Sequence, residues 1–351
     1  MAEADARLAL IHEWLSRELH LRVSRIEPAS SDASFRRYFR AFTDATTYVV
    51  MDAPPDKEDV RPYLKVSALL EDLGAHVPHV HQADAARGLL LLEDLGTTLY
   101  LERLAGAGDS ERLYADALDA LAVIQVRGGT AAAQLAPYGR SELAREMALM
   151  PEWFLGRHLA LELRPPETQM LAATFEFLIG EALAQPKVFV HRDYHARNLL
   201  VAGERNPGII DFQDAVCGPV GYDLVSLLKD CYIAWPRERV VGWVRSFRAR
   251  LLAQGAAAGD SEAQFLRWFD LIGVQRHIKV LGIFCRLWYR DGKPGYLPDL
   301  PRTLDYVRAV SAQHAPLAEL SEFLERRVVA QLPQANARAV AVHGRAAGAG
   351  G

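Results

Sequence analysis

Two polar clusters, separated by an interval of hairpin length, constrain this chain more than any other feature. The first is His191-Arg192-Asp193-Tyr194-His195-Ala196-Arg197-Asn198, and the second is Ile209-Ile210-Asp211-Phe212. Val188-Phe189-Val190 is a short apolar run that delivers His191 to a loop, and Leu199-Leu200-Val201 leads out of it. A turn rich in breakers (Gly203, Asn206, Pro207, Gly208) then reverses the chain into Gly208-Ile209-Ile210. A hairpin over this interval returns Asn198 to Asp211, so two oxygen-bearing side chains distant in sequence become neighbours. Asp and Asn often do no more than close turns. A turn-closing role, however, requires neither the Asn at this offset nor an apolar hairpin ending in a second Asp.

The pattern H-R-D-x-x-x-x-N followed by D-F is the polar signature of a kinase-type phosphoryl-transfer site. That chemistry needs few groups, held at fixed distances. Asp193 is expected to receive the proton of an attacking hydroxyl, and Asn198 and Asp211 to hold Mg2+ on the phosphates of ATP.

At 351 residues the chain is long enough for two parts with separate cores. With 50% apolar and 24% charged residues it has the balance of an ordinary globular enzyme. A formal net charge of −4 gives no basic excess, which argues against a nucleic-acid partner. No apolar run approaches the ~18 residues that span a bilayer. The N-terminus, with Glu3, Asp5, Arg7, Glu13, Arg17 and Glu18, does not read as a signal peptide. No membrane association is expected, and nothing in the sequence calls for a protein partner. Cys217, Cys231 and Cys285 are odd in number and lack a CxxC, which suits a reducing cytoplasm. His76, His79 and His81 match no metal-ligand spacing and read as solvated strand residues.

Leu8, Ile11, Leu15 and Leu19 recur at helical spacing, so residues 1–21 are expected to form a helix lying on the first lobe. Residues 22–95 are strand-dominated and are expected to form a nucleotide-binding lobe. Within them, the small residues Ala29 to Ser34 separate two strands. Backbone amides near Ser31 and Ser34 are expected to approach phosphate oxygens there as a glycine-rich loop would; an ordinary hairpin fits the same residues. Asp59 to Gly74 reads as a helix with Leu64, Leu69, Leu70 and Leu73 inward. Leu89-Leu90-Leu91-Leu92 then runs into Glu93-Asp94-Leu95-Gly96, a buried strand leaving as a linker whose main chain at Glu93 and Leu95 is expected to pair with adenine. Residues 96–332 are helical apart from the catalytic hairpin and are expected to hold the catalytic and acceptor site. Residues 333–351, rich in Ala, Gly and Arg without periodicity, read as a disordered tail. The expected fold is α+β and bilobal, protein-kinase-like, with a small sheet-rich N-lobe, a large mainly helical C-lobe, and the site in the cleft between them.

Gln213 to Asp223 runs straight into Leu224-Val225-Ser226-Leu227-Leu228, a helix. This leaves no room for a long segment on which a peptide would lie, and a small-molecule acceptor is favoured. Asp223 is expected either to cap that helix or to reach back and fix the catalytic loop. One kinase feature is missing. Strand phase puts Met51 where a phosphate-binding lysine belongs, and the helix offers Lys65, Val66 and Ser67 where its glutamate partner belongs. Arg36, Arg37 or Lys57 is expected to supply the charge, with Arg37→Ala raising the Michaelis constant for ATP. Arg36, Arg37 and Arg40 equally fit a solvated strand face.

His191-x-Asp193…Asn198, Ile210-Asp211 and Gly218-Pro219…Tyr222-Asp223 resemble the aminoglycoside phosphotransferase family, the choline- and sugar-kinase relatives of protein kinases. Ser31-Asp32-Ala33-Ser34-Phe35-Arg36-Arg37-Tyr38, Val50 to Pro55, Pro151 to Leu155, Asp211 to Ala215 and Gln275-Arg276-His277-Ile278-Lys279 look like the anomeric kinases of cell-wall recycling, which act on N-acetylmuramate and N-acetylglucosamine. The likeness runs from about Ser30 to Tyr306. It implies ATP-dependent phosphorylation of the anomeric hydroxyl of an amino sugar, with Asp193 matching the base and Asn198 and Asp211 the metal ligands. Asp214, Glu152, Arg276 and His277 are candidates for sugar contacts, though the helix bearing the last two is equally a structural one. Trp288 and Tyr289 fit either sugar stacking or the core. Another acceptor of the same family (an aminoglycoside, choline or a homoserine-like alcohol) is the alternative within enzymes. A nucleotide-binding pseudokinase, suggested by the missing lysine, is the alternative outside them.

Overall fold

Asp5 accepts the amide hydrogens of Arg7 and Leu8 at 3.0 and 3.2 Å, and this cap starts helix α1 (Ala6–Glu13). The helix continues as a π-helical turn, Trp14–Glu18. The computed structural model describes residues 5–31, 35–106 and 109–348. Five strands follow, with one helix among them: β1 (Val23–Ser31), β2 (Arg37–Thr43), β3 (Thr47–Asp52), α2 (Arg61–Asp72), β4 (Val80–Asp84) and β5 (Leu89–Glu93). They form an antiparallel sheet in the order β1-β2-β3-β5-β4.

Strand alternation divides the sheet into two faces. Phe39 and Ala41 of β2, Val50 of β3, and Leu89 and Leu91 of β5 turn to one face and close over Ile11, Trp14 and Leu15. Arg36, Tyr38, Arg40, Met51 and Leu90 belong by the same period to the other. Helix α2 buries Tyr63, Val66, Ser67 and Leu70, a stripe at helical spacing. Leu64 and Leu69, expected inward, are only half buried, because Tyr63 and Val66 take the inner positions.

Four short strands lie further along: β6 (Lys187–Val190), β7 (Leu199–Leu200), β8 (Gly208–Ile209) and β9 (Val216–Pro219). The chain divides into two compact units, one of residues 1–124 and 197–215, the other of residues 125–196 and 216–351. The β7–β8 hairpin therefore goes with the sheet, although the sequence reading grouped it with the helical part. The reason is hydrogen bonding: Ile209 donates its amide to the His76 carbonyl at 2.7 Å, Val201 donates to Thr98 at 2.8 Å, and Leu99 bridges to Leu200. These bonds satisfy backbone groups that a two-residue strand pair would leave open.

In the second unit β6 pairs with β9. Helices α3 (Arg140–Met147), α4 (Pro165–Leu183), α5 (Tyr222–Leu228) and α6 (Glu262–Tyr289) follow, with a π-helical turn at Met150–His158. Helix α6 is the centre of this unit and is buried almost all round between Phe265 and Trp288. Gly282 permits one close approach, since a Cβ there would stand 2.5 Å from the Cβ of Leu149. The segment from 333, read as a disordered tail, is instead helix α7 (Leu332–Gly348). Leu332, Ala335 and Ala339 are buried, and Asn336 meets His158 Nε2 at 2.8 Å. Alanine is the best helix former, and its faint apolar stripe is easily overlooked. Among the described residues no helix is long and apolar enough to cross a membrane.

Candidate active site

In the second unit β6 hands His191 to a loop that two buried carboxylates hold in place. Asp223 accepts the amide hydrogens of His191 and Arg192 at 2.7 and 2.9 Å. No side chain caps helix α5, whose first turn holds Asp223, so of the two roles expected for this residue the structure has the reach to the loop. Asp230 accepts the amide hydrogen of Ala196 at 3.0 Å. Arg192 takes a positive φ of 78° between these anchors, a conformation the two clamps on its flanks sustain. Burial pushes the Asp223 carboxyl up to about 6, even though both amides and His191 favour its charged form.

Asp193 follows, its amide donating to His191 Nδ1 at 3.3 Å and its side chain 46% exposed. Desolvation opposes its charge, but Lys279, His195, Arg276 and Arg192 outweigh that and hold the carboxyl down at about 2. Arg276 Nη2 stands 3.8 Å from Asp193 and donates to Ser226 Oγ at 2.8 Å. Behind it, buried Glu146 receives Arg192 at 2.6 Å and Lys279 at 3.1 Å, together with the Tyr138 hydroxyl. Lys279 also donates to the Tyr222 hydroxyl at 3.0 Å. Despite burial, Lys279 and Arg192 keep the Glu146 carboxyl below its usual range.

The first unit carries the other half of the motif. Leu199 faces Ile209 and Leu200 faces Gly208 across the hairpin, and Ile210 donates its amide to the Asn198 carbonyl at 3.0 Å. The hairpin packs closely on the linker here: a Cβ at Gly208 would come within 2.9 Å of Leu95 Cδ1. Asn198 Nδ2 thereby reaches Asp211 Oδ2 at 3.3 Å, while Gln213 Nε2 donates to Asp211 Oδ1 at 2.9 Å. Asp211 has a positive φ of 63°, and the next residue, Phe212, is fully buried against Tyr63 of α2 with ring centroids 4.7 Å apart. Arg36 Nη2 lies 3.4 Å from Asp211 Oδ1.

Among the described residues no three His, Cys, Asp or Glu side chains gather as a metal cluster. Mg2+, however, is commonly held by one or two carboxylates, with phosphate and water oxygens completing its shell. The Asp211 carboxylate fits that ion, as does the Asn198 amide once a half-turn presents its Oδ1.

The other expected contacts fall differently. Arg37 faces α1, donating to Asp52 Oδ2 at 3.0 Å through Nε and pairing with Asp5, so alternation along β2 turns it away from the face carrying Arg36. Met51 is fully buried between Tyr38 and Leu90 in the ladder, and Ser67 is buried on α2. Ser31 ends β1 opposite Arg37, and Ser34 lies outside the described residues. Glu93 donates its amide to the His79 carbonyl at 2.8 Å, and Leu95 packs on the hairpin. Asp214 and Glu152 are exposed. His277 is not a surface contact: it is buried, stacks on Tyr306 at 4.7 Å, and meets the Lys229 carbonyl at 2.9 Å. Sequence reasoning missed Glu146, Tyr138, Tyr222 and Ser226. Tyr222 stands in the Gly218-Pro219…Tyr222-Asp223 motif, but the motif alone gives it no role. The others carry no local signal, because Glu146 meets Arg192, Tyr138 meets Glu146 and Ser226 meets Arg276 only through packing.

A five-stranded antiparallel sheet with one helix, a mainly helical second unit, and a clamped H-R-D loop leading to an Asn–Asp hairpin define a phosphotransferase of the kinase type. The chain belongs to the phosphotransferase enzyme family, whose model matches residues 25–269. It is 43% identical over 349 residues to the N-acetylmuramate/N-acetylglucosamine kinase of Pseudomonas putida, covering 97% of this chain and 100% of that one. It is 44% identical over 340 residues to the protein of that name from Pseudomonas aeruginosa, covering 94% and 98%. The fold is also that of ADP-bound aminoglycoside phosphotransferase APH(2'')-Ib, with a TM-score of 0.56 at 15% identity over 85% of this chain and 97% of the other.

Proposed function

We propose that the protein is an ATP- and Mg2+-dependent kinase of N-acetylated amino sugars, transferring the γ-phosphoryl group to the anomeric hydroxyl of N-acetylmuramate or N-acetylglucosamine. The observation that carries this reading is the Asp193 carboxylate, kept charged by Lys279, His195, Arg276 and Arg192 on a loop clamped by Asp223 and Asp230. The full-length likeness to kinases named for these two sugars selects the acceptor.

Asp193 receives a hydrogen bond from the sugar hydroxyl and aligns its oxygen with the phosphorus. A carboxyl held near 2 is a weak base, so the proton moves late, as the O–P bond forms and the bond to ADP breaks. An anomeric hydroxyl, more acidic than an ordinary alcohol, suits so weak a base. Asp211 and Asn198 would hold Mg2+, which neutralises charge on the phosphates when bound. Arg36, 3.4 Å from Asp211, supplies the cation that Met51 does not. The main chain at Glu93 and Leu95 would meet the adenine. Three cysteines, all unpaired, suit a reducing cytoplasm.

The test is ADP release with N-acetylmuramate, N-acetylglucosamine, glucose, choline and kanamycin, with phosphorus NMR of the product. Turnover of the first two to a 1-phosphate is expected. Turnover confined to choline or kanamycin, or a phosphate on another hydroxyl, would overturn the proposal.

A further inference from the structure

Helix α6 carries three cations on one side. Arg276, Lys279 and Arg286 lie within about 80° of one another around the axis, the last roughly 10 Å beyond Lys279. Two of them are engaged: Arg276 with Asp193 and Ser226, Lys279 with Glu146 and Tyr222. Arg286 forms no ion pair or hydrogen bond with any described residue, and its Nε is shut off from solvent with no partner. It is half buried. Its pKa is lowered by burial first and by Arg290 next; Asp291, itself paired with Arg290 at 2.7 Å, and after it Glu152 and Glu146 offset this in part, yet none of the three is in ion-pair contact with Arg286. A guanidinium so placed is destabilising, and a methionine would fill the space without that penalty.

Its surroundings are built to hold it there. Gly282 lets α6 lie against the backbone of Leu149, which brings the turn bearing Glu152 alongside the segment between Lys279 and Arg286. Helical side chains lean towards the N-terminus, so Arg286 leans back along the row to Lys279, Arg276 and the Asp193 carboxylate.

Resting on the amino-sugar reading above, we propose that Arg286 is the carboxylate-recognition residue of the acceptor site. Its guanidinium receives the lactyl carboxylate of N-acetylmuramate when the anomeric hydroxyl lies at Asp193, and so sets the preference for that sugar over N-acetylglucosamine. Of the cations in the row, it alone has its charge uncommitted to a carboxylate of the protein, and a planar fork is the donor that binds a carboxylate through two parallel bonds.

Steady-state kinetics with both sugars and with the neutral amide of N-acetylmuramate test this. Arg286→Met is expected to raise the KM for N-acetylmuramate by about 10–100-fold, at least ten times more than for N-acetylglucosamine. Arg286→Lys should fall between. The unaltered enzyme should discriminate against the amide by a similar factor, and Arg286→Met should not distinguish amide from acid. An equal rise for both sugars, or no rise, overturns the assignment. So does an unaltered enzyme that takes amide and acid equally, a comparison that stands even if Arg286→Met does not fold. Turnover of neither sugar by the unaltered enzyme removes the functional reading and this one together.

Discussion

Asp193, though its side chain is half exposed, has its carboxyl held below the usual range by the basic side chains around it, and that defines what its replacement would do. Asp193→Asn keeps the shape and removes the proton acceptor, so turnover should fall by about 10²–10⁴-fold. Calorimetry should find ATP affinity nearly unchanged; a variant retaining most of its rate would take Asp193 out of the role of base. Since its folded value of about 2 lies below the ordinary 3.8, Asp193 stays ionised throughout the neutral range. Any loss of kcat/KM between pH 7 and 5 then belongs to another group. Two adjacent arginines give a second residue-level contrast. Arg36, 3.4 Å from Asp211, should raise the Michaelis constant for ATP when replaced by Ala. Arg37→Ala should leave that constant alone and lower stability by about 1–3 kcal/mol, because it weakens the pairing of fully buried Asp52, which Arg7 still holds. Nucleotide kinetics and urea unfolding on both variants would show the contrast reversed if β2 presented its other face.

What the sequence made legible is what the chain makes local. The H-R-D loop, the hairpin that joins Asn198 to Asp211, and the helical stripe of Ile11 and Leu15 each lie within a few turns or one reversal of chain. Which face of β2 meets which layer was not legible, since Arg36 and Arg37 are chemically alike and only the packing of α1 on Phe39 and Ala41 decides between them. Glu146 was illegible for a related reason: its partners Arg192 and Lys279 lie 46 and 133 residues away. Helix α6 shows how such distant groups are registered. At Gly282 it lies directly on Leu149, so the turn from Met150 is set against it at a fixed depth. Gly282→Ala should improve helix propensity in isolation, yet the added methyl has nowhere to go. Overpacking of this kind costs about 1–3 kcal/mol, and urea unfolding should show a lower midpoint. A stabilised Gly282→Ala protein would mean that the turn is not tightly seated.

Across the whole molecule, stability and the charge state of the second unit are linked through His277. It is buried beside Arg276, and burial first, the guanidinium next, drive its imidazole down to about 3 against the pull of the Lys229 and Gly273 carbonyls. The folded protein therefore refuses a proton that the unfolded chain accepts near 6.5. A group depressed in this way contributes its full stability above about pH 6.5 and loses it as pH falls towards 3. Between pH 7 and 5 the loss from this one side chain is about 2 kcal/mol. Glutamine at 277 keeps an amide donor for the Lys229 carbonyl but cannot titrate. Urea unfolding of both proteins at pH 7 and pH 5 should show the unaltered chain losing about 2 kcal/mol more than His277→Gln. Equal losses would mean that the ring takes up its proton in the folded state. The linkage bears on function because a charged ring at 277 would place a second cation beside Arg276, the residue 3.8 Å from the Asp193 carboxylate. The packing that excludes the proton from His277 thus keeps a further positive charge from forming beside Arg276.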